Sequence, residues 1–480
     1  MKKRFSRIAG VITACVITAL LLSSLSLLTV WKDFYREKGT FLDKAGDCDV
    51  LFLGNSRVRD SIFPMEMWGE FGLAGYNLGF PGTSVQVSYW VLLNALEHAD
   101  PELVVVDCGH LSWTTEKAKP YIQSAMPVFP FSLTKIRTAL ELFPLDEYSF
   151  DDMFSVIWSF SKFHNRWAEL DAGDFYLDKN DALGGCECLG RTAPMYDSST
   201  PADTDLTRIE TNLEYMRRIA QACTERGIKL VFCYLPHPAT NTEKWEASAA
   251  ERTAAELGVE FVNFLETDTV DYYTDMYDAD THLNLSGGRK VSRYLGRLIS
   301  EEYGIADHRG EDGYSSWEAD YQEYLKTREQ QLAGEVFMNN ALMKLSYDRY
   351  SSLIYIPAGS ALYEDELALK LIENVAGTEL PGLIRAAANG EEYLLFTDRA
   401  AAASYEAAGG EVYDGGNMKL SADLSEFSVD SQEYPLSIAG IPGEGDVRVF
   451  VFTPELELIP ECCHSYGLNA DGVFDRTDYQ

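Results

Sequence analysis

Ser56 stands in Gly54-Asn55-Ser56-Arg57, directly after the apolar run Asp49-Val-Leu-Phe-Leu53. A serine hydroxyl becomes a nucleophile when a base takes its proton. A residue just past a buried strand lies at the carboxyl edge of a sheet, where open α/β folds place their ligands. If a helical turn begins at Ser56, its backbone N–H groups point toward an anion at that edge. The competing reading is an ordinary turn or capping serine. A base is available far along the chain, in Asp278-Ala-Asp280-Thr-His282-Leu-Asn284. In an extended segment residues two apart project to one side, so Asp280 and His282 can meet. A carboxylate on one imidazole nitrogen fixes the tautomer and leaves the other to accept the serine proton. The competing reading is a loop in which Asp280 caps a turn and His282 only packs or is solvated.

Those residues need a scaffold, and the intervening sequence supplies one. Asp49–Leu53, Leu103–Val106, Ile228–Tyr234 and Val259–Leu265 are short apolar runs that predict buried strands. Helical spacing falls between them over Ser84–Leu96, Leu206–Arg226 and Glu243–Leu257, and again from Ser286, expected as an N-cap, to about Tyr303. This alternation predicts a parallel sheet with helices on both faces. A stretch from Leu111 to Asp205, rich in Phe, Trp, Pro and Asp, is expected to elaborate the site rather than form a domain. After Gly304 the character changes. Asp307–Gly313 suits a linker, Trp317 to about Leu345 predicts a helix, and from Tyr347 strands and turns dominate, as in Val447-Arg-Val-Phe-Val-Phe452. The expected division is therefore 1–31, 32–303, 304–346 and a strand-rich accessory domain over 347–480.

Lys2, Lys3, Arg4 and Arg7 precede an uncharged run from Ile8 to Trp31. At about 1.5 Å rise per residue that run is long enough to cross a hydrocarbon core of roughly 30 Å. The basic flank would stay cytoplasmic and the bulk of the chain outside, with Trp31 and Tyr35 at the interface. A cleaved signal peptide is the alternative, but Lys32 and Asp33 follow where a small-residue cleavage site would stand. The formal net charge of −35 over 480 residues repels phosphate backbones, which argues against nucleic-acid partners. Nine cysteines are few for a disulfide scaffold. Cys108 and Cys233 fall in apolar strands as small core residues, and no ligand pairs are spaced for a metal, so neither metal nor cofactor is expected.

Taken together, the blocks around Ser56 and His282 resemble the SGNH/GDSL hydrolase superfamily, in which a G-x-S serine follows the first strand and an Asp/His pair closes the domain. The stretch Tyr76-Asn-Leu-Gly-Phe-Pro-Gly-Thr-Ser84 looks like the family's second block. The resemblance spans roughly Asp49 to Tyr303 and implies a flavodoxin-like α/β fold. It implies Ser56 as nucleophile, His282 as base, Asp280 as orienter, and the N–H groups of Ser56 and Gly79 as oxyanion hole. Two positions depart from the family. Ala279 occupies the usual acid position, three before the histidine. Asp107-Cys-Gly-His110 replaces the usual Gly-x-Asn-Asp, leaving the asparagine donor unassigned between Asn77 and His110.

The D-x-H spacing and the anchor resemble extracytoplasmic alginate O-acetyltransferases and the teichoic-acid D-alanylation protein. These pass acyl groups to polysaccharide or teichoic acid alongside a membrane-bound O-acyltransferase. Phe163-His-Asn-Arg-Trp167 is similar to a segment of such proteins, and equally fits simple packing. Arg57 and Arg59 are candidates for holding an anionic substrate, and Asn284-Leu-Ser286 matches a glycosylation sequon. The implied activity is acyl transfer or ester hydrolysis on a cell-envelope glycan. The alternative is a non-catalytic adhesion or glycan-binding protein on the same scaffold.

Overall fold

The computed structural model describes residues 2–30, 37–175, 183–186, 188–193, 209–346, 349–409, 414–415, 418–420, 426–435 and 447–477. Trp31 and Tyr35, the expected interface residues, lie outside them, as does the start of the helix expected from Leu206. The chain forms two compact units. One comprises 1–187, 197–269 and 291–321; the other comprises 188–196, 270–290 and 322–480. The sequence-based partition follows chain order, whereas these units exchange segments.

The first unit begins with α1 (Lys2–Thr29). Ile8, Val11, Ile12, Val16, Ile17 and Leu21 on it are more than half exposed, while Ser26, Thr29 and Val30 are buried. Among the described residues no helix is both long and apolar enough to cross a membrane, so the expected spanning anchor gains no support from the structure. A five-stranded parallel sheet follows. Its elements are β1 (Val50–Gly54), α2 (Ser56–Ser61), α3 (Pro64–Phe71), β2 (Gly75–Gly79), α4 (Val85–Ala95) and β3 (Leu103–Asp107). The long connection next carries α5 (Thr115–Ala125), α6 (Leu133–Leu142), α7 (Phe150–Ile157) and α8 (Phe160–Phe163). Then come α9 (Ile209–Arg226), β4 (Lys229–Tyr234), α10 (Asn241–Leu257), β5 (Glu260–Asn263) and α11 (Leu285–Glu302).

The strand order is β2-β1-β3-β4-β5, the doubly wound order whose direction reverses between β1 and β3. Register is set by Val50 opposite both Gly75 and Leu103, and by Val106 opposite Phe232. With right-handed crossovers, that reversal sends the β1–β2 connection to one face and the later connections to the other. The packing agrees: α9 lies against α4 and α10, while Ser292 of α11 accepts a hydrogen bond from the Phe63 amide beside α3. The strands are buried on both faces, β1, β2 and β3 throughout, which is why they are apolar runs rather than alternating ones. Cys108 and Cys233 are fully buried core residues, as expected.

The polar stretch after Gly304 is docked rather than a free spacer. The His308 amide donates to Gly72 O, Arg309 Nη1 donates to Gly69 O, and Trp68 stacks between Tyr314 and Trp317. The single helix expected over Trp317–Leu345 is two, α12 (Ser315–Ala333) and α13 (Met338–Leu345), interrupted around Gly334, a poor helix residue.

In the second unit, β6 (Ser351–Ile356), α14 (Glu366–Ala376), α15 (Pro381–Asn389), β7 (Tyr393–Asp398) and β8 (Ala403–Ala408) precede β9 (Asp414–Gly415), β10 (Met418–Leu420), β11 (Glu426–Val429) and β12 (Gln432–Pro435). The unit closes with β13 (Val447–Phe452), β14 (His464–Leu468) and β15 (Phe474–Arg476). They form a six-stranded antiparallel sheet, β15-β14-β13-β6-β7-β8, and a four-stranded one, β12-β11-β10-β9. Phe427 and Tyr434 of the smaller sheet meet Phe450 and Phe452 of the larger in a shared apolar core. The strand-rich character expected here is present.

Candidate active site

Ser56 is the first residue of α2 and is half-buried at the carboxyl end of β1, at the point where the sheet order reverses. The turn that presents it is tightly built. Gly54 has φ +154°, and a Cβ there would lie 2.5 Å from Val58 Cγ2 and 2.9 Å from Asp107 Cβ, so only glycine fits. Asn55 caps α2, its Oδ1 accepting the Arg57 amide at 2.8 Å, and its Nδ2 donates to Asp107 Oδ2 at 3.0 Å. Asp107, at the end of β3, also accepts the amides of Gly109 (3.1 Å) and Leu235 (2.9 Å). One carboxylate thus ties together the ends of β1, β3 and β4 beneath the serine turn. The sequence reading did not single out Asp107 in this role; an acidic residue closing an otherwise apolar strand was the signal.

Gly79 does not have the role expected of it. Its N–H donates to Asn77 Oδ1 at 2.9 Å, so it is already used, and a Cβ there would sit 2.6 Å from the Arg59 amide. Glycine at 79 lets β2 approach α2 closely. Asn77 is fully buried and committed as well, its Nδ2 donating to Val58 O (2.7 Å) and Ile62 O (2.8 Å) at the end of α2. It is a structural residue and not a substrate contact. His110 has a left-handed backbone, φ +61°, and stacks on Trp113 with ring centroids 4.0 Å apart. Its Nδ1 faces Thr83 O at 3.2 Å and must be the protonated nitrogen. Burial and the nearby Arg57 charge push its pKa well below the ordinary value, so the ring is neutral and Nε2 is an acceptor, unsuited to donate to an oxyanion.

Arg57 is likewise no substrate contact: it is 1% exposed. Its Nη1 lies 2.7 Å from His237 Nε2, its guanidinium carbon is 5.4 Å from the Tyr234 ring centroid, and Asp107, Glu243 and Glu246 share its neighbourhood. His237 faces Leu235 O at 3.1 Å through Nδ1, and burial with the Arg57 charge lowers its pKa. Glu243 sits 3.2 Å from His237 Nε2 while closing the capping box with Thr240 at the start of α10. Arg59 is bound to Glu37 at 2.7 Å. Arg59 is therefore taken up by Glu37, whereas Arg57 is buried against His237 and the Tyr234 ring, its Nε and Nη2 having no hydrogen-bond partner among the described residues and the nearby carboxylates acting on it only through their charge.

The histidine of interest lies in the second unit. An antiparallel bridge between Met276 and Leu283 closes its loop, with the Tyr277 amide donating to His282 O at 2.9 Å. The partner of His282 Nδ1 is Asp278 Oδ2, at 2.5 Å. Asp278 Oδ1 also accepts the amides of Thr281 (2.8 Å) and His282 (2.7 Å). Burial works to raise the Asp278 carboxyl, and the hydrogen bonds from the His282 ring and these two amides outweigh it, holding it well below the usual range. The expected orienter Asp280 is exposed and, among the described residues, accepts only from Thr281 Oγ1, at 3.0 Å. The segment turns instead of running extended, which brings residue 278 rather than 280 onto the ring.

This loop is anchored by Asn284, fully buried, whose Nδ2 donates to Thr274 O (2.8 Å) and Met276 O (3.2 Å), and whose Oδ1 accepts the Gly287 amide. Asn284, rather than Ser286, caps α11, and its burial removes the sequon as a glycan acceptor. Ser286 instead donates to Asp275 Oδ1 at 3.0 Å, and Lys290 pairs with the same carboxylate group at 2.5 Å.

No family model matches the chain, and no curated protein does. Among solved structures it is similar to a crystal structure described as that of a "putative acylhydrolase" from Bacteroides fragilis. The TM-score is 0.29 and the identity 10%, over 57% of this chain and 98% of that one. A likeness this low carries no argument about activity. What stands is the mixed α/β architecture and the local geometry on each unit.

Proposed function

We propose that the chain is a serine-dependent acyl-transfer enzyme, with Ser56 as nucleophile, His282 as base and Asp278 in place of Asp280 as the residue that orients the base. The observation carrying this reading is the Asp278–His282 pair. An ionised carboxylate on Nδ1 fixes that nitrogen as the protonated one and gives the other the lone pair that general-base chemistry requires. In the reaction, Ser56 Oγ attacks an ester carbonyl carbon as His282 Nε2 takes its proton. The intermediate expels an alkoxide, which recovers the proton from His282 and leaves acyl-Ser56. Water or a sugar hydroxyl then loses its proton to His282 and attacks the acyl carbon, and Ser56 Oγ leaves with that proton returned to it from His282. The Ser56 amide is the oxyanion donor retained in this scheme.

The acceptor is a cell-surface polysaccharide or teichoic-acid-like polymer, and a membrane-bound O-acyltransferase is the acyl source. Membrane attachment is supported by the exposed apolar side chains of α1, and the basic residues at 2, 3, 4 and 7 ahead of an uncharged run support a bulk that faces outward. A second reading, a non-catalytic glycan-binding protein on the same scaffold, is favoured by a specific observation: Gly79, Asn77 and His110 are all committed elsewhere.

A fluorophosphonate probe on the full chain in detergent separates the two. Labelling that disappears in Ser56→Ala and in His282→Ala supports the enzyme. Absence of labelling between pH 6 and 9 in a folded chain supports the binding protein.

A further inference from the structure

The last turn of α1 is held by one arginine. Arg166 Nη1 donates to Thr29 O at 2.9 Å and to Val30 O at 3.0 Å, two carbonyls that a helix end leaves without internal partners. Its Nη2 is paired with both oxygens of the buried Asp174 at 3.0 and 3.2 Å. Ser26 and Ser159 hydroxyls add a second link. Along α1 the environment therefore changes sharply. The side chains of Ile8, Val11, Ile12, Val16, Ile17, Leu21 and Leu25 are exposed, and near Ser26 the helix is docked.

The segment that clasps this changeover carries aromatic rings. Phe150 stacks on Phe154 (5.4 Å), which meets Trp158 (5.9 Å), which meets Phe160 (5.5 Å). Phe150 is 63% exposed, Trp167 beside the clasp is 72% exposed and Phe175 is 62% exposed. Such rings are costly to leave in water and are favoured at the boundary between hydrocarbon and headgroups. Exposed Asp151, Glu169 and Asp171 alternate with them, so basic attraction to anionic lipid is not the binding force.

We infer that residues 150–175 form a lipid-facing seat, in which Phe150, Trp167 and Phe175 enter the headgroup region of a phospholipid bilayer beside the exposed apolar side chains of α1. This rests on the membrane placement proposed above and adds to it that the folded body lies on the surface rather than hanging from a tether.

The test uses the full chain in phosphatidylcholine nanodiscs, with and without lipid brominated near the headgroup end of its acyl chains. The fluorescence component removed by Trp167→Phe, obtained as wild type minus variant, is expected to fall by about half or more in brominated discs, as for an interfacial ring. Recovery of the chain outside the discs overturns both the membrane placement and the seat. Chains that enter the discs while the Trp167 component stays unquenched overturn the seat alone. If that component is unquenched and the discs hold two chains, a second copy covers these rings.

Discussion

The Asp278–His282 pair permits the sharpest prediction, because the neighbouring Asp280 is a built-in control. In Asp278→Asn the amide retains one oxygen for the Thr281 and His282 N–H groups, so the loop persists. Its nitrogen facing His282 Nδ1 donates rather than accepts, which forces the ring proton onto Nε2 and removes the lone pair proposed to take the serine proton. The lost interaction is charge-assisted at 2.5 Å, a type worth about 1.5–3 kcal/mol. At ~1.36 kcal/mol per tenfold in rate, that alone is about 10- to 150-fold, and the inverted tautomer extends the loss toward ~10⁴-fold. Asp280→Asn removes an exposed carboxylate bonded, among the described residues, only to the adjacent threonine, and its rate is expected to stay within about twofold of wild type, as for ordinary surface changes. The assay is the second-order rate of fluorophosphonate labelling of the full chain, with folding checked by near-UV circular dichroism. Equal loss in both variants, or full activity in Asp278→Asn, refutes the assignment of Asp278.

Three further outcomes follow from the packing. Gly54→Ala forces a Cβ to 2.5 Å from Val58 at a left-handed φ, and urea denaturation should show a loss of about 2–4 kcal/mol. Asn284→Ala orphans two carbonyls and the cap of α11, for an expected loss of about 2–4 kcal/mol; mass spectrometry of chain from a glycosylating host should find Asn284 unmodified. Burial, with the neighbouring Glu243 charge adding to it, pushes the Glu246 carboxyl above its ordinary value, so its ionised form costs stability at neutral pH. Glu246→Gln should raise the urea midpoint at pH 7, with the gain closing toward pH 4 as the wild-type carboxyl takes up its proton; a lower midpoint at pH 7 refutes it.

Much of the sheet was legible because β1, β3 and β4 are uninterrupted apolar runs bounded by turn residues. The edge strand β2 was not: Gly75-Tyr-Asn-Leu-Gly79 has neither an apolar run nor alternation, and its pairing with β1 supplies what its composition lacks. The site was legible in residue types and less so in partnerships. Placing Asp280 on His282 assumed an extended backbone, whereas Asp278 turns the chain by accepting two amides three and four residues on. Assigning Gly79 to an oxyanion hole treated a glycine N–H as available, and the side chain of Asn77, two residues earlier, had already taken it. Arg57 follows the serine and so suggested substrate binding, but a side chain one residue into a helix at a sheet edge can point inward, and His237 and Asp107 receive it. Sequence spacing fixes which groups are near in the chain; hydrogen-bond accounting decides which remain to act.

The Asp107 knot sets an order of events during biogenesis. Its carboxylate holds the Asn55 cap from one side and the Leu235 amide from the other, and β4, which ends next to Leu235, is separated from β3 by the whole stretch from 108 to 228. Closing so long a loop is slow and entropically opposed until the strands pair. A nascent chain emerging in N-to-C order therefore exposes its serine turn well before the support beneath that turn exists. The hydroxyl gains its final setting only after the later half of the sheet has emerged, which delays any reactivity until synthesis of the domain is complete.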